Sequence, residues 1–144
     1  MDLTRGRPSF AFFIRHYWTG RILFVNALIF LMMALDSGSI LMPTQEVILD
    51  YGAKDSLRLI GGEWWRLITP VFVHIGLIHF LFNSYAIYIL GLQLEPVVGA
   101  KYLIPIYFFS GFCGNVASAL FTIGISAGAS SSIFGMLGCG LVLE

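Results

Sequence analysis

Residues 128–135, which read GASSSIFG, contain the serine in this chain best placed to do chemistry. A short loop of small residues turns here into an apolar segment, which predicts that Ser130 lies in the first turn of a membrane helix. Such a turn has unpaired backbone N–H groups and the positive end of the helix dipole, and both stabilise an oxyanion. The pattern therefore indicates a nucleophile. An N-cap serine between glycines that allow close helix packing would give the same pattern.

Two polar residues that could support this chemistry lie four positions apart in another apolar segment. His79 and Asn83 project from one face of a helix, one turn apart, whereas His74 is offset from that face and nearer the outer interface. Polar side chains in the membrane interior are costly, so they usually face a protein interior or a water-filled cavity. Two roles stay open for this pair: hydrogen bonding between helices, or a functional site.

The composition identifies the class of protein in which these residues work. Hydrophobic residues make up 58% of the 144 residues and charged residues only 11%, which indicates an integral membrane protein. The formal net charge is zero, so nothing points to nucleic acid as a partner. Cys113 and Cys139 lie in apolar segments as small packing residues, and they predict neither a disulfide nor a metal site.

The expected fold is an all-α, polytopic transmembrane helix bundle with three full spans and the start of a fourth. A span requires about 20 apolar residues. The predicted spans cover residues 22–35 or 22–42, residues 74–94, residues 102–123, and a fourth segment that opens at residue 130. In the third span, Gly111, Gly114 and Ser118 form a stripe of small residues that favours close helix contact.

Charged residues outside the spans predict the topology. Residues 1–21 carry four arginines and one aspartate among aromatic residues, which predicts a cytoplasmic segment before a membrane domain of residues 22–144. Residues 44–69 mix charges with two tryptophans, so we expect them to lie on the outer membrane surface. His79, Asn83 and Ser130 then share one shallow depth beneath that surface. The ring N–H, the side-chain amide and the Ser130 N–H could all donate to an oxyanion.

These residues, in this order and spacing, resemble the rhomboid family of intramembrane serine proteases. The resemblance is carried by Glu63-Trp64-Trp65-Arg66, Thr69, His74, His79, Asn83, Glu95 and Gly128-Ala129-Ser130. It implies a multi-pass protein of the cell membrane whose active-site serine opens to the extracytoplasmic side. The implied reaction is hydrolysis of peptide bonds in or near the transmembrane segments of membrane-protein substrates within the lipid bilayer, with no metal or cofactor.

The same resemblance implies a role for each matching residue. Ser130 matches the nucleophile, His79 and Asn83 match the oxyanion-supporting side chains, and His74 matches a structural or water-organising residue. The other supporting residues are those of the loop that lies on the membrane and of the serine motif: Glu63, Trp65, Arg66 and Gly128. Within the loop, Glu63 and Arg66 are expected to hold the chain through hydrogen bonds.

Two departures from the family pattern lead to further expectations. Ser131 follows the nucleophile where the family usually has glycine, so we expect a slightly different turn or oxyanion pocket. The family's general base is a histidine of the sixth span, whereas this sequence ends in the fourth. Since serine is a poor nucleophile without a base, we expect an incomplete chain that does not hydrolyse peptides alone. His16 lies on the cytoplasmic side and His74 away from the His79 face, so neither is expected to replace that base.

Three hypotheses follow for the function. The first is an intramembrane serine protease, and the second is a non-catalytic rhomboid-like protein that binds transmembrane helices without cutting them. The third is a small transporter or channel with His79 and Asn83 as a relay. The presence of Ser130, His79 and Asn83 together favours the protease, because a binding protein does not need an oxyanion pocket. Replacing Ser130 with alanine separates the hypotheses, since it abolishes proteolysis only.

Overall fold

The computed structural model describes residues 10–143, with side chains from Phe13 onward, as a bundle of helices. Three helices are long and apolar enough to cross a membrane, which confirms the all-α polytopic class. The elements in chain order are α1 (Phe10–His16), α2 (Trp18–Ser37), α3 (Gln45–Asp50), β1 (Lys54–Asp55), α4 (Ser56–Ile60), two 3-10 turns (Trp64–Leu67 and Thr69–Phe72), α5 (Leu77–Val98), α6 (Ala100–Phe121), β2 (Ile125–Ser126) and α7 (Ser130–Leu143).

The first spanning helix begins at Trp18, four residues before the predicted start of the span. Its first turn is capped by the Glu95 carboxylate, which accepts hydrogen bonds from the backbone N–H groups of Trp18 at 2.7 Å and Thr19 at 2.9 Å. The Thr19 hydroxyl also donates to it at 2.6 Å. A carboxylate there satisfies orphan donors and complements the helix dipole. At its other end α2 ends at Ser37, two residues beyond the earlier of the two predicted ends, and Gly38 is its C-cap with a left-handed φ of 66°.

The second spanning helix, α5, starts and ends later than the sequence predicts. His74 precedes it, and the chain is extended at Gly76 before the Leu77 N–H donates to the Leu41 carbonyl at 3.2 Å. At the other end, the helix continues beyond residue 94, the predicted end of the span, through Pro96 to Val98. Pro96 lacks a backbone N–H, so one hydrogen bond is lost in the last turn of the helix.

Helices α6 and α7 pack closely along the stripe of small residues predicted from the sequence. A Cβ atom added at Gly111 would lie 2.5 Å from the Ser132 hydroxyl, and one added at Gly114 would collide with the Ser131 side chain. The Ser118 hydroxyl lies 3.1 Å from that of Ser126. The core that these helices share with α2 and α5 is apolar, with Ile22, Val71, Ile87, Leu94, Leu103, Tyr107, Ala129, Ile133 and Met136 buried.

The segment between α2 and α5 is folded rather than irregular. Arg66 holds this segment together through three hydrogen bonds. Its Nη1 atom donates to the carbonyls of Leu49 at 2.6 Å and Ala53 at 2.8 Å, and its Nε atom donates to the Glu63 carboxylate at 2.6 Å. Hydrogen bonds of this kind are expected of Glu63 and Arg66 from the sequence. Strand β1 pairs with β2 in an antiparallel two-stranded ladder, so the segment also holds the loop that leads into α7.

Candidate active site

Ser130 is the first residue of α7, as the sequence predicts, and it is exposed. The Ile133 N–H donates to the Ala129 carbonyl at 2.9 Å, so the helical hydrogen bonds begin just ahead of the serine. The N–H groups of this first turn are therefore free to act as donors. Among the described residues, no side chain accepts or donates a hydrogen bond at the Ser130 hydroxyl. The serine thus combines an accessible hydroxyl with a helix N-terminus.

Gly128 connects this serine to the histidine predicted from α5. Its φ of 119° is in a region that side chains disfavour, and its N–H donates to the Pro70 carbonyl at 2.8 Å. A Cβ atom there would lie 2.5 Å from Cε1 and 2.8 Å from Nε2 of His79. The imidazole of His79 therefore lies directly against the backbone two residues before Ser130. The tertiary structure brings together two motifs that are separated by about fifty residues in the sequence.

Asn83 lies one turn further along α5 and is buried, with 5% of its surface exposed. Its Nδ2 atom donates to the backbone carbonyl of His79 at 2.9 Å. A primary amide has two N–H donors, so this contact leaves one for another acceptor. The bond also holds the amide on the side of the helix that carries His79, as the four-residue spacing predicts.

His74 is placed differently from the sequence prediction, because it lies before α5 and packs against His79. The two ring centroids are 5.5 Å apart, so the expectation that His74 points away from that face was wrong. His74 is fully buried, and its Nδ1 lies 3.2 Å from the Phe72 carbonyl, which accepts a hydrogen bond from Nδ1–H in the tautomer that carries the proton there. Burial, helped by the neighbouring His79, lowers the pKa of His74 to about 4. The ring is therefore neutral at physiological pH.

The remaining predicted residues belong to the segment between α2 and α5 and make no hydrogen bond to Ser130. Arg66 and Glu63 lie in the folded segment described above, and Trp65 next to them is 55% exposed. The Asn115 amide of α6 donates to the Leu67 carbonyl at 3.0 Å, which fastens this segment to the bundle. The sequence did not predict the roles of Pro70 and Lys54, both of which hold the loop before α7. No local signal could have revealed them, because their partners lie more than fifty residues away.

No group of three or more histidine, cysteine, aspartate or glutamate side chains that could hold a metal ion occurs in the part of the chain that the structure describes. The histidines next to the serine instead suit hydrogen bonding. One ring lies against the Gly128 backbone and the other has a carbonyl partner. The arrangement can present donors around a small volume in front of the α7 N-terminus.

Comparison with known proteins identifies the family. The family description Rhomboid domain matches residues 61–144, which include the Glu63 to Arg66 segment, both histidines next to the site and Ser130. The chain belongs to the rhomboid family. It is similar to the Rhomboid protease GluP of Bacillus subtilis (strain 168), with 35% identity over 133 residues, 92% of this chain and 24% of that protein.

Two further relatives come from eukaryotes. Rhomboid-like protease 2 of Toxoplasma gondii is 37% identical over 110 residues, 75% of this chain and 39% of the relative. RHOMBOID-like protein 6, mitochondrial, of Arabidopsis thaliana is 39% identical over 98 residues, 67% of this chain and 32% of the relative. The rhomboid chain described here therefore spans well under half of the length of each of these three relatives. With its three apolar helices, it is a multi-pass membrane protein of a family of intramembrane proteases and rhomboid-like proteins.

The structure also shows where the departure from the rhomboid serine motif lies. The side chain of Ser131, where the family usually has glycine, points at Gly114 of α6 rather than at Ser130. Because Gly114 has no side chain, α6 leaves room for this hydroxymethyl group. The extra atoms are accommodated between two helices, away from the exposed face of Ser130.

Proposed function

We propose that this rhomboid protein is an intramembrane serine protease with Ser130 as its nucleophile. The observation that carries the proposal is the contact of the His79 ring with the Gly128 backbone, two residues before an exposed serine at a helix N-terminus. A nucleophile and convergent donors around one small volume are the parts that acyl transfer needs. Asn83 contributes a second side-chain donor from the same face of α5.

The proposed reaction begins with attack of the Ser130 oxygen on the carbonyl carbon of the scissile peptide bond. The carbonyl oxygen becomes an oxyanion that accepts hydrogen bonds from the Ser130 N–H, the His79 ring N–H and the free N–H of the Asn83 amide. Collapse breaks the C–N bond and releases the amine with a proton, and water then hydrolyses the acyl-serine. Each donor removed from such a pocket lowers kcat by about 100- to 1000-fold.

The serine proton needs an acceptor, and the contacts described above do not supply one. Within residues 13–143, neither His74 nor His79 hydrogen-bonds the Ser130 hydroxyl. His16 lines a cavity beside Glu95, sixteen residues along α5 from His79, which is about 24 Å of helix. We therefore propose that these 144 residues by themselves do not hydrolyse peptides, and that a histidine outside them acts as the base.

The proposed substrates are transmembrane segments of other membrane proteins. The face of α5 next to His79 is apolar and exposed among the described residues, with Ile78 70% and Phe82 73% exposed. An apolar substrate segment could contact this face without leaving the bilayer. We further propose a cell-membrane location with the N-terminus cytoplasmic, because residues 1–21 carry the larger basic excess, and with Ser130 opening to the extracytoplasmic side.

The test is cleavage of a model transmembrane substrate by the native gene product in membranes, with its intact mass recorded. Ser130→Ala should abolish cleavage and labelling by a fluorophosphonate, while the control Ser131→Ala should retain both. The 144-residue chain alone should give no cleavage. Undiminished cleavage by Ser130→Ala would refute the proposal. A native product that retains substrate helices but never cleaves them would instead identify a non-catalytic rhomboid-like protein.

A further inference from the structure

Lys54 is the most deeply buried charged side chain in the described part of the chain, with 0% of its surface exposed. Its Nζ atom donates to the carbonyls of Thr122 at 2.8 Å and Gly124 at 3.0 Å. The Ser56 hydroxyl, two residues later, donates to the same Thr122 carbonyl at 3.3 Å. The side chain thus reaches from the segment before α5 to the loop that follows α6.

The two carbonyls lie where an ammonium group is best placed. Helix α6 ends at Phe121 with Thr122 as its C-cap, so these oxygens are at the negative end of the helix dipole. No carboxylate among the described side chains is within ion-pair distance of Lys54. The neighbouring Asp55 carboxylate instead caps α4, accepting from the N–H groups of Leu57 and Arg58. The carbonyls are therefore the direct partners of the buried ammonium group.

The loop held by Lys54 is the one that leads to Ser130. Beyond Gly124, residues 125 and 126 pair with β1, and the Gly128 N–H donates to the Pro70 carbonyl. Lys54 therefore holds the start of a six-residue segment that ends at Ser130, the proposed nucleophile. Burying an amine is costly, and an apolar side chain would fill the same space more cheaply. Burial does lower the pKa of Lys54, although Asp55 opposes the shift.

We propose that Lys54 is a positioning residue for the nucleophile: its ammonium group fixes the loop after α6 and thereby the place of Ser130 relative to His79. The inference rests on the proposed protease function. Rigid placement of reacting groups matters because a displacement of about 1 Å can lower the rate about 100-fold. Lys54 touches neither the serine nor the histidine, so it acts only through the loop.

The first test compares Lys54→Met, which keeps the stem and removes the amine, with Lys54→Arg, which keeps a cation. In the native gene product, Lys54→Met should lower kcat per folded molecule by about 10- to 100-fold, with KM changed less than about twofold. Lys54→Arg should recover most of kcat. The matched control is Lys101→Met, an exposed lysine at the other end of α6, which should leave both constants unchanged.

A second readout does not depend on proteolysis. Hydrogen exchange at the amides of residues 125–130 should be at least about tenfold faster in Lys54→Met than in the control. Lys54→Gln, which keeps a neutral donor, replaces Lys54→Met if that variant does not fold. Unchanged exchange together with unchanged kcat in a folded Lys54 variant would overturn the proposal. Faster exchange in a protein whose Ser130→Ala variant still cleaves would instead refute the protease function and leave the loop contact standing.

Discussion

Replacing Gly128 with alanine tests the contact on which the proposed site depends. The new methyl group would lie 2.5 Å from His79 Cε1, and the backbone φ of 119° would be strained by any side chain. Backbone strain of this kind costs about 1–3 kcal/mol. Overpacking against the half-buried His79 ring adds about 1–3 kcal/mol. Gly128→Ala should therefore lower the free energy of unfolding by about 2–6 kcal/mol in total.

Alanine substitutions at two other glycines show how much of this loss comes from backbone strain and how much from the collision with His79. Gly124 has a φ of 128° and no atom within 4 Å of an added Cβ, so Gly124→Ala measures strain alone and should cost about 1–3 kcal/mol. Gly138 in α7 also has open space, so Gly138→Ala should be neutral or stabilise the helix by up to about 1 kcal/mol. The assay is unfolding by SDS in mixed micelles, followed by circular dichroism.

A double-mutant cycle then identifies His79 as the neighbour. In a His79→Ala background the collision disappears, so the cost of Gly128→Ala should fall to about that of Gly124→Ala. The coupling energy should be about 1–3 kcal/mol. If Gly128→Ala costs no more than Gly124→Ala, or if the cycle shows no coupling, His79 does not lie against this backbone.

Three further changes test contacts around the site, each by the same unfolding assay. Glu95→Gln should lower the free energy of unfolding by about 1–2 kcal/mol, because the group that caps α2 loses its charge. Equal stability would contradict the capping of α2 by Glu95. Arg66→Lys should lower the free energy of unfolding by about 1–3 kcal/mol, because a lysine cannot reach three acceptors. It should also speed proteolytic nicking of residues 44–69. An unchanged nicking rate would contradict the role of Arg66 in holding this segment. The pKa of His74 is lowered to about 4 in the folded protein, so the unfolded chain binds a proton first as the pH falls below about 6.5. The free energy of unfolding should therefore drop by about 2 kcal/mol between pH 7 and pH 5. His74→Phe should reduce this pH dependence, and an undiminished drop would assign it to other groups.

The sequence predicts those features that depend on residues close together in the chain. Long apolar segments must become helices in a membrane, since every backbone polar group has to be paired within the segment, and three helices long and apolar enough to span are found. The start of α7 at Ser130 and the common face of His79 and Asn83 follow from local spacing in the same way. The stripe of Gly111, Gly114 and Ser118 likewise predicted a close helix contact, although it did not identify α7 as the partner.

Contacts between distant residues were decided only by the tertiary structure. Glu95 caps a helix that begins 77 residues earlier, which moves the start of α2 to Trp18. His74 packs on His79 because the chain bends before α5, whereas a continuous helix would have separated the two rings. In the sequence, Lys54 is one of several charged residues in a polar segment. Only the folded structure shows that its carbonyl partners lie 68 and 70 residues away. The physical reason is common to all three: their partners are set by helix packing, which no local spacing encodes.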